Sequence, residues 1–428
     1  MIFVNNFKKL SYFVYGLGLT GKSVVNFFNK NNIKNFQVWD DKDKSSFKSK
    51  RPRNLDKALR QANYIILSPG VSLNLSKNRK KLIKYEKKII TDIDLIFLMK
   101  RNFKSIVVTG TNGKSTTCKI IYHLLKKNGF RVQLGGNIGT PILDLDIKKK
   151  SVVIIEASSF QLAHSKFILP NYAFLLNITN DHLDWHGNIK NYINSKFKIF
   201  NRQKKNHYSF VNHKFKIHFK KKGFQGKLIV PSLSKYKKFK KNIKNSYLNL
   251  DINDENMAHV FELSKILKLN KKSFIKSLNT FEGLPHRYEI FLKRKNCIFI
   301  NDSKATSFQA TKFALANTKN IYWIVGGLPK KGDFIDIKKL KKNIFKSYII
   351  GKNINFFKRQ LQNNVEYCVT KTLDISLKQI ISDINSSKKK INNILFSPSS
   401  ASFDQFLNFE KRGETFKKLS FIYARKLI

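Results

Sequence analysis

The chain reads as short apolar runs, each followed by a polar or glycine-bearing turn and then by a stretch with apolar residues at helical spacing. Residues 12–15, 36–39 and 64–67 are rich in aromatic and β-branched side chains, the composition of strands. So are 106–108, 152–155 and 172–178, and later 298–300, 322–325, 348–350 and 394–396, and 131–134 reads as a further strand entering a glycine turn. After the run at 106–108 comes a helical pattern, with Ile120, Ile121, Leu124 and Leu125 on one face. Strands alternating with helices predict an α/β protein with mostly parallel sheets, whose ligands gather at the C-terminal ends of the strands. No repeat of solenoid period interrupts this order. The lysine-rich stretch 204–244 carries little pattern and reads as irregular.

The turns carry the chemistry. After 106–108 the sequence runs T-G-T-N-G-K-S-T, from Thr109 to Thr116. Glycines allow close backbone approach to an anion, the N–H groups of a loop and helix start point inward, and the helix dipole favours negative charge. Gly110, Thr111, Asn112 and Gly113 therefore read as a phosphate cradle. Lys114 adds a cation, and Ser115 or Thr116 a hydroxyl for magnesium. The first block has its own glycine turn, Gly16, Gly18 and Gly21 in G-x-G-x-x-G, with Asp40 closing the next strand, the pattern of a dinucleotide fold. Glu156 closes the run at 152–155, and in a chain short of acids it reads as a metal-binding carboxylate. Asp181, His182 and Asp184 cluster at a third strand exit. Three domains follow: a Rossmann-like 1–91, a central P-loop ATPase-like 92–282 with a mostly parallel sheet, and a Rossmann-like 283–428.

Composition changes the picture in two ways. Among 428 residues there are 83 Lys and Arg against 27 Asp and Glu, a net charge of +56. Such a balance predicts nucleic-acid or membrane binding when it is clustered. Here it is spread along the whole chain beside abundant Asn, Ile and Phe, which reads as drift toward A/T-rich codons, so no specific nucleic acid and no membrane is expected as a partner, only weak nonspecific polyanion binding. Three cysteines without metal or disulfide spacing, no apolar run long enough to span a bilayer, and a start lacking a signal-peptide core predict a cytoplasmic protein.

The motifs, in order, resemble the Mur ligase family. They are T-G-T-N-G-K-S at Thr109 to Ser115, G-G-N-I-G at Gly135 to Gly139, and E-A-S-S-F-Q-L at Glu156 to Leu162. N-x-x-x-D-H-x-D follows at Asn177 to Asp184, and Y-x-x-x-K-x-x-I-F at Tyr192 to Phe200. Then come G-L-P-H-R-Y-E at Gly283 to Glu289, N-D-S-K-A-T at Asn301 to Thr306 and A-S-F-D-Q-F at Ala401 to Phe406. The last three resemble the branch that adds D-glutamate to UDP-N-acetylmuramoyl-L-alanine. The resemblance implies an ATP- and Mg²⁺-dependent amide synthesis through an acyl phosphate, in cell-wall precursor synthesis, by a monomer. It implies catalytic roles for Lys114, Glu156, His182 and Lys196. Two magnesium ions would be served by Ser115, Glu156, His182 and a carbamylated Lys196. ATP would meet residues 110–116 together with Asn253, Asn256, His286, Arg287 and Asp302. The UDP-sugar would meet Leu19, Thr20, Asp40, Asn137, Ser158 and Gln161, and D-glutamate Lys304, Thr306, Lys330, Ser402, Phe403 and Phe409. Ile252 stands where the family pattern has a histidine before Asn253. The competing readings are another Mur ligase, a folylpolyglutamate synthetase-like enzyme, or a basic P-loop ATPase that binds nucleic acid.

Overall fold

The computed structural model describes residues 7–43, 45–74, 76–99, 102–245, 247–330, 332–386 and 391–427. The chain divides into two compact units, 1–281 and 282–428. The first contains two sheets. One has four parallel strands in the order β2-β1-β3-β4: β1 (Tyr12–Tyr15), β2 (Phe36–Trp39), β3 (Tyr64–Leu67) and β4 (Ile89–Ile90). The other has six parallel strands in the order β10-β9-β8-β5-β7-β6. Its members are β5 (Lys104–Thr109), β6 (Val132–Gly136), β7 (Val152–Glu156), β8 (Tyr172–Leu175), β9 (Tyr208–Val211) and β10 (Lys227–Ile229). Val107, Val153, Ile155, Ala173 and Leu175 are all fully buried, the near-continuous apolar run that a sheet covered on both faces requires.

In each sheet the chain reverses its direction of winding beside the first strand. β1 lies between β2 and β3, and β5 between β7 and β8. Crevices form at the C-terminal ends of strands at such reversals, and both glycine turns fall there. The helix Asp92–Leu98 begins at a capping box in which Thr91 and Asp94 exchange hydrogen bonds. Buried Asp94 also accepts from the Ser165 hydroxyl at 2.6 Å and the Phe167 N–H at 2.7 Å, tying the start of the central block to its own sheet.

The second unit holds one six-stranded sheet, β11-β12-β16-β13-β14-β15. These are β11 (Glu289–Arg294), β12 (Cys297–Asn301), β13 (Ile321–Gly326), β14 (Ile344–Ile350), β15 (Tyr367–Lys371) and β16 (Asn392–Phe396). All pairs are parallel except β11 with β12. The buried stripe Leu373, Leu377, Ile380, Ile381 and Ile384 packs the helix Leu373–Asn385 against one face. Each such side chain contributes about 1.5–3 kcal/mol when fully buried.

Two expectations are corrected. The strand expected over 172–178 ends at Leu175. The reason is local: Asn177 gives its carbonyl to the Thr111 N–H and its side-chain oxygen to the Asn112 N–H, both at 2.8 Å. The stretch 204–244 is regular, holding β9, β10 and the helices Lys216–Lys221 and Leu233–Lys240. Phe210, Val211, Phe219, Tyr236 and Ile243 are its buried apolar residues. Lysines cover the outer faces, which hides the period from a reading of composition.

Candidate active site

The turn after β5 is held open by its neighbours rather than by itself. Gly113 has φ +80°, and a Cβ there would run into the side chain of Asn256, on the first turn of the helix Asp254–Ile266. Thr111 shares hydrogen bonds with Tyr192 Oη at 2.9 Å and with Thr179, and Asn177 clamps Asn112 from the other side. The helix Lys114–Lys127 then starts with left-handed Gly113 as its cap, a residue with no side chain to cap it. A helix start points its first N–H groups back toward the preceding loop.

Two amines converge on this loop. Lys114 Nζ donates to the Gly110 carbonyl at 2.9 Å and the Thr111 carbonyl at 2.8 Å. Lys196 Nζ, on the helix Ile189–Phe197, donates to the same Gly110 oxygen at 2.8 Å. Sharing one acceptor brings the two nitrogens within about 6 Å of each other. Lys196 is 1 % exposed and packs over the Tyr192 ring. Burial, and then the Lys114 charge, hold its amine well below the ordinary lysine range, against an opposing pull from Asp181.

Glu156 ends β7, beside Val108 of β5. One carboxylate oxygen accepts from Asn137 Nδ2 at 2.9 Å. The other, Oε2, is buried with no hydrogen-bond partner among the described residues. An orphaned buried carboxylate oxygen at a phosphate loop fits a divalent cation, because magnesium is bound through one or two carboxylates plus substrate phosphates. His182 has φ +54° and leads into the helix Leu183–His186, with Nε2 at 3.3 Å from Asp181 Oδ2. Among the described residues no group of three or more His, Cys, Asp or Glu side chains forms a ready-made cage. The expected set needs none, since only Glu156 and His182 belong to those types and Ser115 and Lys196 supply the rest.

The glycine turn after β1 opens onto a cleft of about 790 Å³, within the usual range for a ligand pocket. Leu19, Thr20, Asp40, Asn137 and Gln161 all line it, together with Tyr15, Asp41 and Trp185. Gly16 has φ +94° and lies against Ser68, whose hydroxyl donates to its carbonyl at 2.7 Å. Asp40 accepts from the N–H groups of Leu17, Lys42 and Asp43. Burial pushes its carboxyl up, but these donors outweigh it and hold Asp40 below the usual carboxylate range. Ser158 is turned to structure: it caps the helix Ser159–His164 and exchanges hydrogen bonds with Gln161. Gln161 also donates to buried Asp92, whose carboxyl burial pushes up to about 6. Asn253 donates to the Tyr247 carbonyl and lies one turn before Asn256.

In the second unit the expected residues gather at the ends of β12, β13 and β16. Asp302 accepts from the Tyr288 N–H at 3.1 Å and the Ser397 hydroxyl at 2.7 Å. Burial pushes it up to about 7, against those two hydrogen bonds and the Arg287 charge. His286, at φ +63°, shares a 2.9 Å contact with Asn301 Nδ2 and packs on Gly413. Lys304 Nζ lies 4.3 Å from the Phe409 ring centre. Ser402 is buried, next to Ala401, which is bridged to Leu328 two residues before Lys330. Thr306 stands just before Ser307, which caps the helix Phe308–Asn317, and Phe403 is 71 % exposed.

Sequence reasoning missed Arg412. Its guanidinium is 1 % exposed and donates to the carbonyls of Ser303 and Ser400, fastening the turns after β12 and β16 to each other. The signal available was an arginine on the same face as Phe416 and Ser420.

Comparison with known proteins fits this arrangement. The family model of the Mur ligase MurD-like N-terminal domain matches residues 11–90, and that of the Mur ligase middle domain matches 108–274. The UDP-N-acetylmuramoylalanine--D-glutamate ligase of Rickettsia felis is 34 % identical, over 97 % of this chain and 98 % of its own. The chain belongs to the Mur ligase family. The proteins of the same name from Rickettsia prowazekii and Buchnera aphidicola are each 35 % identical, over 97 % and 95 % of this chain and 99 % and 97 % of theirs. Solved Mur ligases share the fold. MurF ligase from Thermotoga maritima in complex with ADP has a TM-score of 0.55, at 17 % identity over 87 % of this chain and 91 % of that one. UDP-N-acetylmuramate-alanine ligase MurC from the same organism has 0.57, at 17 % identity over 96 % and 98 %. No helix among the described residues is long and apolar enough to cross a membrane.

Proposed function

We propose that this Mur ligase joins D-glutamate to UDP-N-acetylmuramoyl-L-alanine at the expense of ATP, as a cytoplasmic monomer in cell-wall precursor synthesis. The observation that carries the reading is the meeting of Lys114 and Lys196 on the Gly110 carbonyl, at a loop whose neighbouring strand ends in Glu156. The Lys114 cation, loop N–H groups and a buried carboxylate are what phosphoryl transfer to a carboxylate requires.

The reaction divides between the loops. The alanyl carboxylate attacks the terminal phosphorus of ATP, ADP leaves, and an acyl phosphate forms. The D-glutamate amine then attacks the acyl carbon, loses a proton, and expels phosphate carrying one former carboxylate oxygen. Lys114 turns from its loop carbonyls to the β- and γ-phosphates, where its charge offsets the charge that develops during transfer. The cleft after β1 holds the uridine end through Leu19, Thr20 and Asp40, and Asn137 and Gln161 guide the sugar toward Glu156. Asn253, Asn256, His286, Arg287 and Asp302 serve ATP. Lys304, Thr306, Lys330, Ser402, Phe403 and Phe409 receive D-glutamate, with a cation for one carboxylate and hydroxyl or N–H donors for the other. Magnesium, held by Ser115, Glu156, His182 and a carbamate on Lys196, would neutralise phosphate charge. Burial holds the Lys196 amine well below the ordinary lysine range, which favours that carbamate, because only the free base adds CO₂.

Substrate labelled with ¹⁸O in the alanyl carboxylate tests the sequence of bonds. One label should appear in the released phosphate for each amide formed. Phosphate free of label would contradict the acyl phosphate.

A further inference from the structure

Every lysine of the stretch 204–244 is exposed except Lys240, whose side chain is 16 % exposed. It is the last residue of the helix Leu233–Lys240. Its Nζ donates to Asp254 Oδ1 at 2.6 Å and to Asp251 Oδ1 at 3.1 Å. Asp254 opens the helix Asp254–Ile266, and Asp251 opens the 3₁₀ turn Asp251–Asn253 just before it. A cation suits the C-terminal end of a helix and an anion the N-terminal end, so the pair ties together two helix ends that each favour it. Tyr236, one turn before Lys240, is fully buried, and the Phe239 ring stacks on Phe261 of the second helix at 4.7 Å.

Asp254 depends on this cation. Its side chain is 4 % exposed, and its Oδ2 has no hydrogen-bond partner among the described residues. The exposed Lys237 stands off at 3.7 Å from that oxygen. A buried carboxylate stripped of its close partner is costly, which favours a shift of the turn toward water.

What the turn carries is Asn256. It lies two residues after Asp254, in the same first turn, and is buried. A Cβ on Gly113 would fall 2.2 Å from Asn256 Oδ1, so this side chain stands against the left-handed corner of the phosphate loop. Asn253, on the other side of Asp254, donates to the Tyr247 carbonyl at 2.8 Å. The ion pair therefore sits between the two asparagines placed at ATP.

We propose that Lys240 is a positioning residue for ATP. By bridging Asp251 and Asp254 it fixes the turn that seats Asn256 against Gly113, and so sets the affinity of the phosphate loop for the nucleotide. This rests on the reading that ATP occupies the loop after β5.

The test is calorimetric binding of ATP, and separately of UDP-N-acetylmuramoyl-L-alanine, to the full chain. Lys240→Met should weaken ATP about ten-fold and leave the UDP-sugar Kd unchanged, while Lys240→Arg, which can still meet both carboxylates, should largely keep ATP binding. In an Asn256→Ala background, Lys240→Met should add little, because the route it acts through is already cut. The pair Lys240→Met with Asp254→Asn leaves no buried charge unpaired and serves if the single variant fails to fold, with the same selective loss expected. Unchanged ATP affinity, equal losses for both ligands, or an undiminished effect in Asn256→Ala would overturn the proposal. Lys114→Ala separates the two readings. If it weakens ATP while Lys240→Met does not, only the role of Lys240 fails; if it leaves ATP binding intact, the placement of ATP fails and the role of Lys240 with it.

Discussion

Replacing Asp302 by Asn should stabilise the second unit at neutral pH and remove part of its pH dependence. Asp302 is buried, and burial pushes its pKa from the ordinary aspartate value of 3.8 to about 7. A folded-state pKa above the unfolded one means that the native state binds more protons between those two values. Stability contributed by this group is therefore full below about pH 4 and is lost as pH rises through about 7. Each ten-fold weakening of the acid corresponds to about 1.36 kcal/mol, so the rise sets a ceiling of about 4 kcal/mol on the cost of the buried charge. Asn keeps the acceptor for the Tyr288 N–H, and Ser397 can turn its hydroxyl to Thr311, 2.9 Å away, while accepting from the new amide. Burying that amide costs about 1–2 kcal/mol, so the net gain at pH 8 is about 2 kcal/mol. Trp323 is the one tryptophan of residues 282–428, and its indole donates to the Ser397 carbonyl at 2.8 Å. Urea unfolding of 5-fluorotryptophan-labelled protein, followed through the Trp323 ¹⁹F resonance, thus reads this neighbourhood directly. The Asp302→Asn advantage should shrink toward zero or reverse by pH 5. Phosphate release should also fall, since a group placed at ATP is expected to trade stability for activity. An Asn variant less stable than the parent at pH 8, or an advantage independent of pH, would refute this account of the buried charge.

Lys196→Ala should abolish turnover, with partial return on adding short carboxylates that stand in for a carbamate; full activity without them would refute the carbamate role. Gly113→Ala should weaken ATP binding, because a left-handed alanine costs about 1 kcal/mol and its methyl meets Asn256; an unchanged Kd for ATP by calorimetry would contradict the loop geometry. Ser402→Ala should raise the KM for D-glutamate with little change in that for ATP, and the reverse pattern would displace the acceptor site.

Much of this was legible in the sequence because strand ends carry both the fold and the chemistry. β1, β2 and β3 fall where the apolar runs place them, and the glycine turn after β5 is a motif with one physical use. Short or polar strands were not legible. β4 has two residues, and β10 is Lys-Leu-Ile at a sheet edge, too short to show a period of two. At the site, the sequence marked Lys196 only through resemblance, since its burial and its shared acceptor with Lys114 arise from packing between distant segments. It also left Ser158 open as a ligand, where its hydroxyl is committed to capping a helix. Asn177 and Arg412 act by fastening turns together, and such roles depend on pairs that no single stretch displays.

The central claim is that three sets of strand-end loops serve ATP, a UDP-linked carboxylate and D-glutamate in one reaction. Phosphate release in the presence of UDP-N-acetylmuramoyl-L-alanine, with only the added amino acid varied, tests it most directly. D-Glutamate should support release far above L-alanine, L-lysine or diaminopimelate. Faster release with any of those three, or nucleic-acid-stimulated release that ignores the amino acid, would contradict it.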